Sequence, residues 1–455
     1  MTEDQPQPQL AVAWEDLRFG PWRGVLLPKQ PPPEDVREDR DLPRSIRPID
    51  DATVTQQPVF DPALAGYARA LRPSEPAFTD PRLAERWLAA RREALNTVLS
   101  AVAGSPWAEH LVLRGSVLLR AWYGEQAREP GDLDFVVRPV EWTLEDERTD
   151  RMLQELAAAA ERLSGDADGN ADGNEVRLHA DQAVTDEIWT YGRVPGRRLV
   201  LPWSAPGLPG VPGGTVQLDF VFTEHLPVPP ESCRLPGVTG PLLAATPQLS
   251  LAWKILWLVS DDHPQGKDLY DALLLSRTAE VPYDLLRQVF VQSEEYFAWQ
   301  PVLQQQIAGL WADWDEFAKD QPQFAEPVEE YPARLLAALH PTFADHGEYA
   351  LRAQWLAPLI EDLRDVLAKE GMAAVQQWMS LRHMVPDNTL VITRELLDGD
   401  LDGARRTVAD QPGTRPARMA WAACKLAEAA ARYADELADE LADELEGNGP
   451  EGVDT

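Results

Sequence analysis

Two carboxylates spaced two residues apart at the head of an apolar run, DLDFVV at residues 132–137, constrain the fold of this chain more than any other feature. In a β-strand, residues i and i+2 point to the same side. Asp132 and Asp134 therefore share one face, and Leu133, Phe135 and Val137 share the opposite, buried one. Such a strand belongs in a sheet with an apolar layer on one side and a polar site on the other. Carboxylates on one strand face repel each other unless a cation lies between them, and hard divalent ions such as magnesium prefer these oxygen ligands. Just upstream, HLVLR at 110–114 reads as another strand, followed by Gly115-Ser116 and the helical run VLLRAWYG. A turn of this kind at a helix start can offer backbone N–H groups and a hydroxyl to phosphate. Ser116 as an ordinary helix N-cap accounts for the same residues.

A third carboxylate, Asp219, lies in TVQLDFVF, where Leu218, Phe220 and Phe222 share one face and Gln217, Asp219 and Val221 the other. An acid between core positions is costly unless a cation or donor is near; an edge-strand acid facing water is the alternative. Three acids on neighbouring strands meet the needs of a two-metal phosphoryl-transfer site, in which ions about 3.5–4 Å apart clamp the attacking and leaving oxygens. Lys254 interrupts the apolar helical face of LSLAWKILWL. A buried ammonium there needs an anionic partner, unless the side chain snorkels from a helix edge. Asp268 and Asp271, taken alone, fit an exposed helix start, where acids are favoured. Arg193, Arg197 and Arg198 surround Pro195-Gly196, which reads as the turn of a hairpin. A solvated turn is the expected setting for these arginines, with contact to an acceptor phosphate as the other reading. None of the seven histidines has ligand spacing with another, so no zinc site is expected.

The 455 residues allow two or three domains. Residues 1–80 are rich in proline and acid and read as a mostly extended arm with one docking segment. Residues 81–238 carry the mixed helix and strand pattern of a catalytic core. Residues 239–446 are helical in pattern, and 447–455 read as a disordered tail. Helical periodicity is strong in residues 81–104 and 142–163, with DADGNADGN at 166–174 as a turn-rich loop. The expected class is α+β, a short mixed β-sheet flanked by helices with a helical C-terminal region. Many of the 16 tryptophans lie in the helical half and read as helix–helix filler more than as base-stacking platforms. ADEL repeats at 434–445 place Leu437, Leu441 and Leu445 on one helical face opposite an acidic surface, as in a solvated terminal helix or a contact for a basic partner. Two cysteines, a net charge of -33, the lack of a signal-peptide pattern and the lack of an apolar stretch long enough for a bilayer point to a soluble, cytoplasmic protein with no membrane partner. That charge also opposes loose binding to nucleic acid.

The order of these features resembles the DNA polymerase beta-type nucleotidyltransferase superfamily, and within it the AbiEii-type toxin group. LVLRGSVLLRAWYG, REPGDLDFVV and GRRLVLPW followed by VQLDFVF carry the likeness. Beyond them come a helical lysine in LSLAWKILWL and the segment GKDLYDALLL, with Lys267, Asp268 and Asp271. The resemblance covers about residues 84–280. Fifteen residues lie between Ser116 and Asp132, at the long end for this signature, which implies a longer loop over the site. The resemblance implies a nucleotidyltransferase fold and Mg2+, with Mn2+ as an alternative ion, held by Asp132, Asp134 and Asp219. It implies that Gly115 and Ser116 bind the NTP phosphates, that Lys254 neutralises triphosphate charge, and that Asp268 positions that lysine or the nucleotide. It further implies the toxin of a bacterial toxin–antitoxin or phage-defence system, with an antitoxin partner and a tRNA 3′ end as the first acceptor to consider. Transfer to a protein or small molecule is the alternative chemistry. A non-catalytic nucleotide-binding or scaffold protein would be expected to have lost a carboxylate, and all three are present.

Overall fold

The computed structural model describes residues 10–20, 22, 24–165, 175–190, 194–321, 323, 330–343 and 347–409. The 166–174 loop, Arg193, Cys424 and the ADEL repeats lie outside them. The chain divides into two compact units, the first drawn from residues 1–279 and 310–335, the second from 280–309 and 336–455. These boundaries differ from those expected from periodicity. The helices directly after residue 239 pack with the sheet-containing unit, because their apolar faces and the ion pairs described below belong to its core.

An eight-stranded mixed sheet organises the first unit. In chain order its strands are β1 (Leu111–Arg114), β2 (Leu133–Val137), β3 (Arg177–Leu178), β4 (Val184–Thr190), β5 (Val194–Ser204), β6 (Gly214–Val221), β7 (Glu231–Cys233) and β8 (Leu242–Ala244). Their spatial order is β4-β5-β6-β2-β1-β8-β7, with β3 beside β5. The β6–β2 and β8–β1 pairs are parallel and the others antiparallel. Alternation works as the sequence dictates: Leu133, Phe135, Leu218 and Phe220 are buried, and the Phe135 and Phe220 rings stack with centroids 5.5 Å apart. Asp134 and Asp219 are thereby turned to the other face.

Helix α1 (Pro81–Ala103) starts at Asp80, whose carboxylate accepts from the Arg82 N–H, and packs against α3 (Glu147–Gly165) and β6. Between β1 and β2 runs the short α2 (Ser116–Tyr123); α4 (Pro247–Ser260) and α5 (Gly266–Leu275) pack on each other after the sheet. Two details depart from expectation. The periodicity of residues 142–163 sets Met152, Leu153, Leu156 and Leu163 on one apolar stripe, of which the first three are buried and Leu163 is exposed. Pro195 and Gly196 lie within β5, opposite Trp189 and Ile188, and do not form the turn of the β4–β5 hairpin. Gly196 is needed there because a Cβ would come within 2.8 Å of Ile188 and of the Phe220 carbonyl.

The N-terminal segment is more ordered than an extended arm. Trp14, Leu17, Trp22, Leu27, Leu42, Ile46 and Leu71 form an apolar cluster, with a helix at Glu34–Arg40 and short strand pairs around it. Scattered apolar residues separated by prolines conceal such a cluster, because it has no helical or strand period.

The second unit is helical as described, with helices at Tyr283–Ser293, Glu348–Glu370 and Pro386–Leu396 among others. Trp355 is fully buried there against Tyr283 and Phe290, the filler role expected of these tryptophans. Among the described residues no helix is long and apolar enough to cross a membrane.

Candidate active site

Strand register sets five charged residues in a row across five adjacent strands. Asp186 of β4 lies opposite Arg198 of β5, Arg198 opposite Asp219 of β6, Asp219 opposite Asp134 of β2, and Asp134 opposite Arg114 of β1. Opposed residues on neighbouring strands share a face, and like charges placed so are destabilising. The signs along the row alternate except at the centre, where Asp219 and Asp134 are neighbours. Asp132, immediately before β2, joins them, and carboxylate oxygens of Asp132, Asp134 and Asp219 lie within 4.8 Å of one another.

The three acids differ in their partners. Burial works to raise Asp132, but the charges of Lys267 and Arg128 hold it below the usual carboxylate range. Asp134 is pushed up to about 7, first by burial and then by the charges of Asp132 and Asp219. Burial also raises Asp219, against the opposing pull of Arg198. That arginine grips Asp219 with a fork, Nε donating to Oδ1 at 2.9 Å and Nη2 to Oδ2 at 2.8 Å, while Nη1 donates to Asp61 Oδ2 at 2.7 Å. Arg198 is buried, so it does not sit in a solvated turn. At the far end of the row, Asp186 accepts from the backbone N–H groups of Arg44 and Ser45 and from the Tyr67 hydroxyl.

Gly115 links β1 to α2 with φ +83°, and a Cβ there would lie 2.5 Å from Asp134 Oδ2. Only glycine allows both that backbone and that closeness. Gly115, not Ser116, is the N-cap of α2, and Ser116 begins the helix without a side-chain cap. The Ser116 hydroxyl is buried and has no hydrogen-bond partner.

Lys254 on α4 is buried, with Nζ 2.6 Å from Asp268 Oδ1 and 3.0 Å from Asp271 Oδ2, both on α5. Desolvation would lower its pKa, but these two acids raise it, and the lysine stays charged. Asp271 also accepts from Arg128 at 3.2 Å. Asp268 and Asp271 are therefore interior ion-pair partners and not an exposed helix start.

A cavity of about 190 Å³ opens onto Gly115, Asp132, Asp134, Asp219, Lys254 and Asp268 together. Of the residues expected at the site, Ser116 alone does not line it, lying directly behind Gly115. Eight Arg and Lys side chains and eight Asp and Glu side chains line the cavity. Its wall is thus formally neutral in a chain of net charge -33. Sequence reasoning assigned no role to Asp61, Arg72, Arg114, Arg128 or Lys267, and set Arg198 in a solvated turn or against an acceptor phosphate; all six line the cavity. Arg198 shares its strand face with Val200, which also lines the cavity, but an apolar residue there marks no polar face in the sequence. Asp61, in the N-terminal segment, carried no local sign either.

The family described as nucleotidyl transferase AbiEii toxin, type IV TA system, has a model that matches residues 97–346, more than half of the chain. A search of curated proteins and of solved structures found no match. The matched stretch contains the β1–Gly-Ser–α2 turn, the Asp-x-Asp strand, the Asp219 strand and the Lys254–Asp268 pair. With these elements gathered around one cavity, the chain belongs to the AbiEii family of nucleotidyltransferase toxins.

Proposed function

We propose that this protein is a magnesium-dependent nucleotidyltransferase that transfers a nucleotide from an NTP to an acceptor hydroxyl, the first acceptor to test being a tRNA 3′ end. The observation that carries this reading is the acid cluster at the centre of the charged row, where Asp134 stands beside Asp219 and Asp132 and makes no hydrogen bond or ion pair among the described residues. Asp134 next to Asp219 and Asp132 is unfavourable unless a cation is supplied, and an all-carboxylate donor set suits a hard divalent ion such as Mg2+ or Mn2+. Asp132 and Asp134 would hold it, with Asp219 beside them. When bound, the ion supplies Lewis-acid polarisation of phosphate oxygens and neutralises developing charge.

The protein's own groups fit the remaining tasks. Gly115 lets the chain pass close to the ligand, and the buried, unpartnered Ser116 hydroxyl and the α2 N-terminus offer donors to phosphate. Lys267 and Lys254 place positive charge along the same cavity, and Asp268 fixes the position of Lys254. In the reaction the acceptor hydroxyl oxygen bonds to the α-phosphorus and the bond to pyrophosphate breaks. The hydroxyl proton leaves to a base or to solvent. Catalysis of this kind is mainly positioning and charge stabilisation.

The charge of -33 favours a second acceptor class, protein or small molecule, because RNA is repelled on approach. The neutral wall of the cavity removes that objection locally. Labelled NTPs incubated with total RNA, lysate protein and metabolites, with and without Mg2+, separate these cases. Transfer that survives Asp132→Ala would sink the proposal, as would an absence of transfer to all three pools. Membership of a type IV toxin family supports an antitoxin partner and a role in phage defence, and rescue of growth by a co-expressed neighbouring gene tests it.

A further inference from the structure

We propose that Arg198, anchored by Asp61, is a built-in cation that takes up Asp219, so that Asp132 and Asp134 seat a single divalent ion where three free carboxylates would seat two. This rests on the magnesium reading above and deepens it.

The donors of Arg198 are committed in a fixed geometry: Nε and Nη2 to the two oxygens of Asp219, Nη1 to Asp61 Oδ2. Gln217 Nε2 adds a bond to Asp219 Oδ2 at 3.3 Å. A carboxylate oxygen has two acceptor sites, so Oδ2 has both filled and Oδ1 has one. Magnesium demands near-octahedral geometry at about 2.0–2.1 Å, whereas a guanidinium fork fixes the plane of the carboxylate it holds. A second ion ligated by Asp219 would also lie beside a guanidinium that does not give up its proton. Asp132 and Asp134 are different. Neither makes a hydrogen bond or ion pair among the described residues; burial and through-space charges alone act on them.

Asp61 keeps Arg198 in place. Its other oxygen, Oδ1, accepts from the Ala63 N–H at 3.1 Å and caps the short helix Pro62–Leu64, so the anchor is held by the backbone. Asp61 precedes the residues matched by the family model. The N-terminal segment thereby acquires a task at the site: it holds a positive charge where a second metal ion would otherwise be needed.

The test counts Mn2+ bound to the full-length protein, from the free-ion EPR signal at near-physiological ionic strength. Ions bound by the acidic surface are subtracted with an Asp132→Asn/Asp134→Asn double variant. The expected difference is one ion per chain. Arg198→Met removes the fork and its charge, and the difference is expected to double to two. Two ions in the wild type overturn the inference and leave the magnesium reading standing. No difference overturns the magnesium reading and the inference with it. One ion in both wild type and Arg198→Met shows that Arg198 does not exclude the second, and overturns the inference alone. If circular dichroism shows Arg198→Met unfolded, Arg198→Gln, neutral but still able to donate to Asp219, replaces it with the same expectation.

Discussion

Asp134→Asn is expected to stabilise this protein in the absence of divalent ions while removing its response to them. The substitution preserves shape and deletes the charge that opposes Asp132 and Asp219. Asp134 is moved from an ordinary 3.8 up to about 7 by burial and by those two neighbours. Complete ionisation of such a group in the folded state corresponds to a loss of about 4 kcal/mol relative to the unfolded chain. Because the folded protein holds the proton more tightly, the sign is definite: the loss is absent below about pH 4, grows as pH rises, and is complete above about 7. Asp134 is half-buried, so solvent screening reduces the figure to about 2 kcal/mol. At about 2 °C per kcal/mol for a unit of this size, the variant should melt about 4 °C above the wild type at pH 8 with a chelator present. The gap should shrink as pH is lowered toward 5. Added Mg2+ should raise the melting point of the wild type at pH 8 and leave that of the variant nearly unchanged. Scanning fluorimetry across pH, with and without Mg2+, reads all of this. A variant that melts below the wild type at pH 8 in chelator, or a gap independent of pH, would refute the reasoning that uncompensated repulsion defines the site.

Three further outcomes follow from the same geometry. Asp132→Asn should lower Mg2+-dependent transfer by about 100-fold or more, since removing part of a preorganised electrostatic site has effects of this order; initial rates with labelled NTP check it, and a loss under tenfold would argue against the assignment. Ser116→Ala should change stability by less than about 0.5 kcal/mol, because the hydroxyl has no protein partner to lose, yet raise KM for the NTP about tenfold; an unchanged KM would return Ser116 to a purely structural place. Lys254→Met leaves Asp268 and Asp271 without their shared ammonium and should cost about 3–5 kcal/mol, measured by urea unfolding; a loss under about 1 kcal/mol would mean that Arg128 alone satisfies these acids.

Much of the site can be read from local pattern. The i, i+2 spacing of Asp132 and Asp134 assigns a strand face without reference to any other segment, and the apolar residues around Asp219 do the same for β6. Gly115 between an apolar strand and a helix marks a tight turn by composition alone. Lys254 inside an apolar helix demanded an anion, and α5 supplies two. Arg198 was less legible. The nearby Pro195-Gly196 suggests a turn, and only its pairing with Asp219 shows that it is buried. The N-terminal segment was harder still, since its cluster joins residues as distant as Trp14 and Leu71 with no period between them.

The sequence by itself determined which residues face which way along each strand and helix, because side-chain direction follows from a period of two or of 3.6 residues. It thereby determined the set of acids and cations available for chemistry. Tertiary structure decided which of them meet. Register between strands far apart in sequence set Arg198, Asp219, Asp134 and Arg114 side by side, and packing of the N-terminal segment brought Asp61 to Arg198. Strand pairing and long-range docking are settled by the total burial and hydrogen bonding of the whole unit, a quantity that no local window contains.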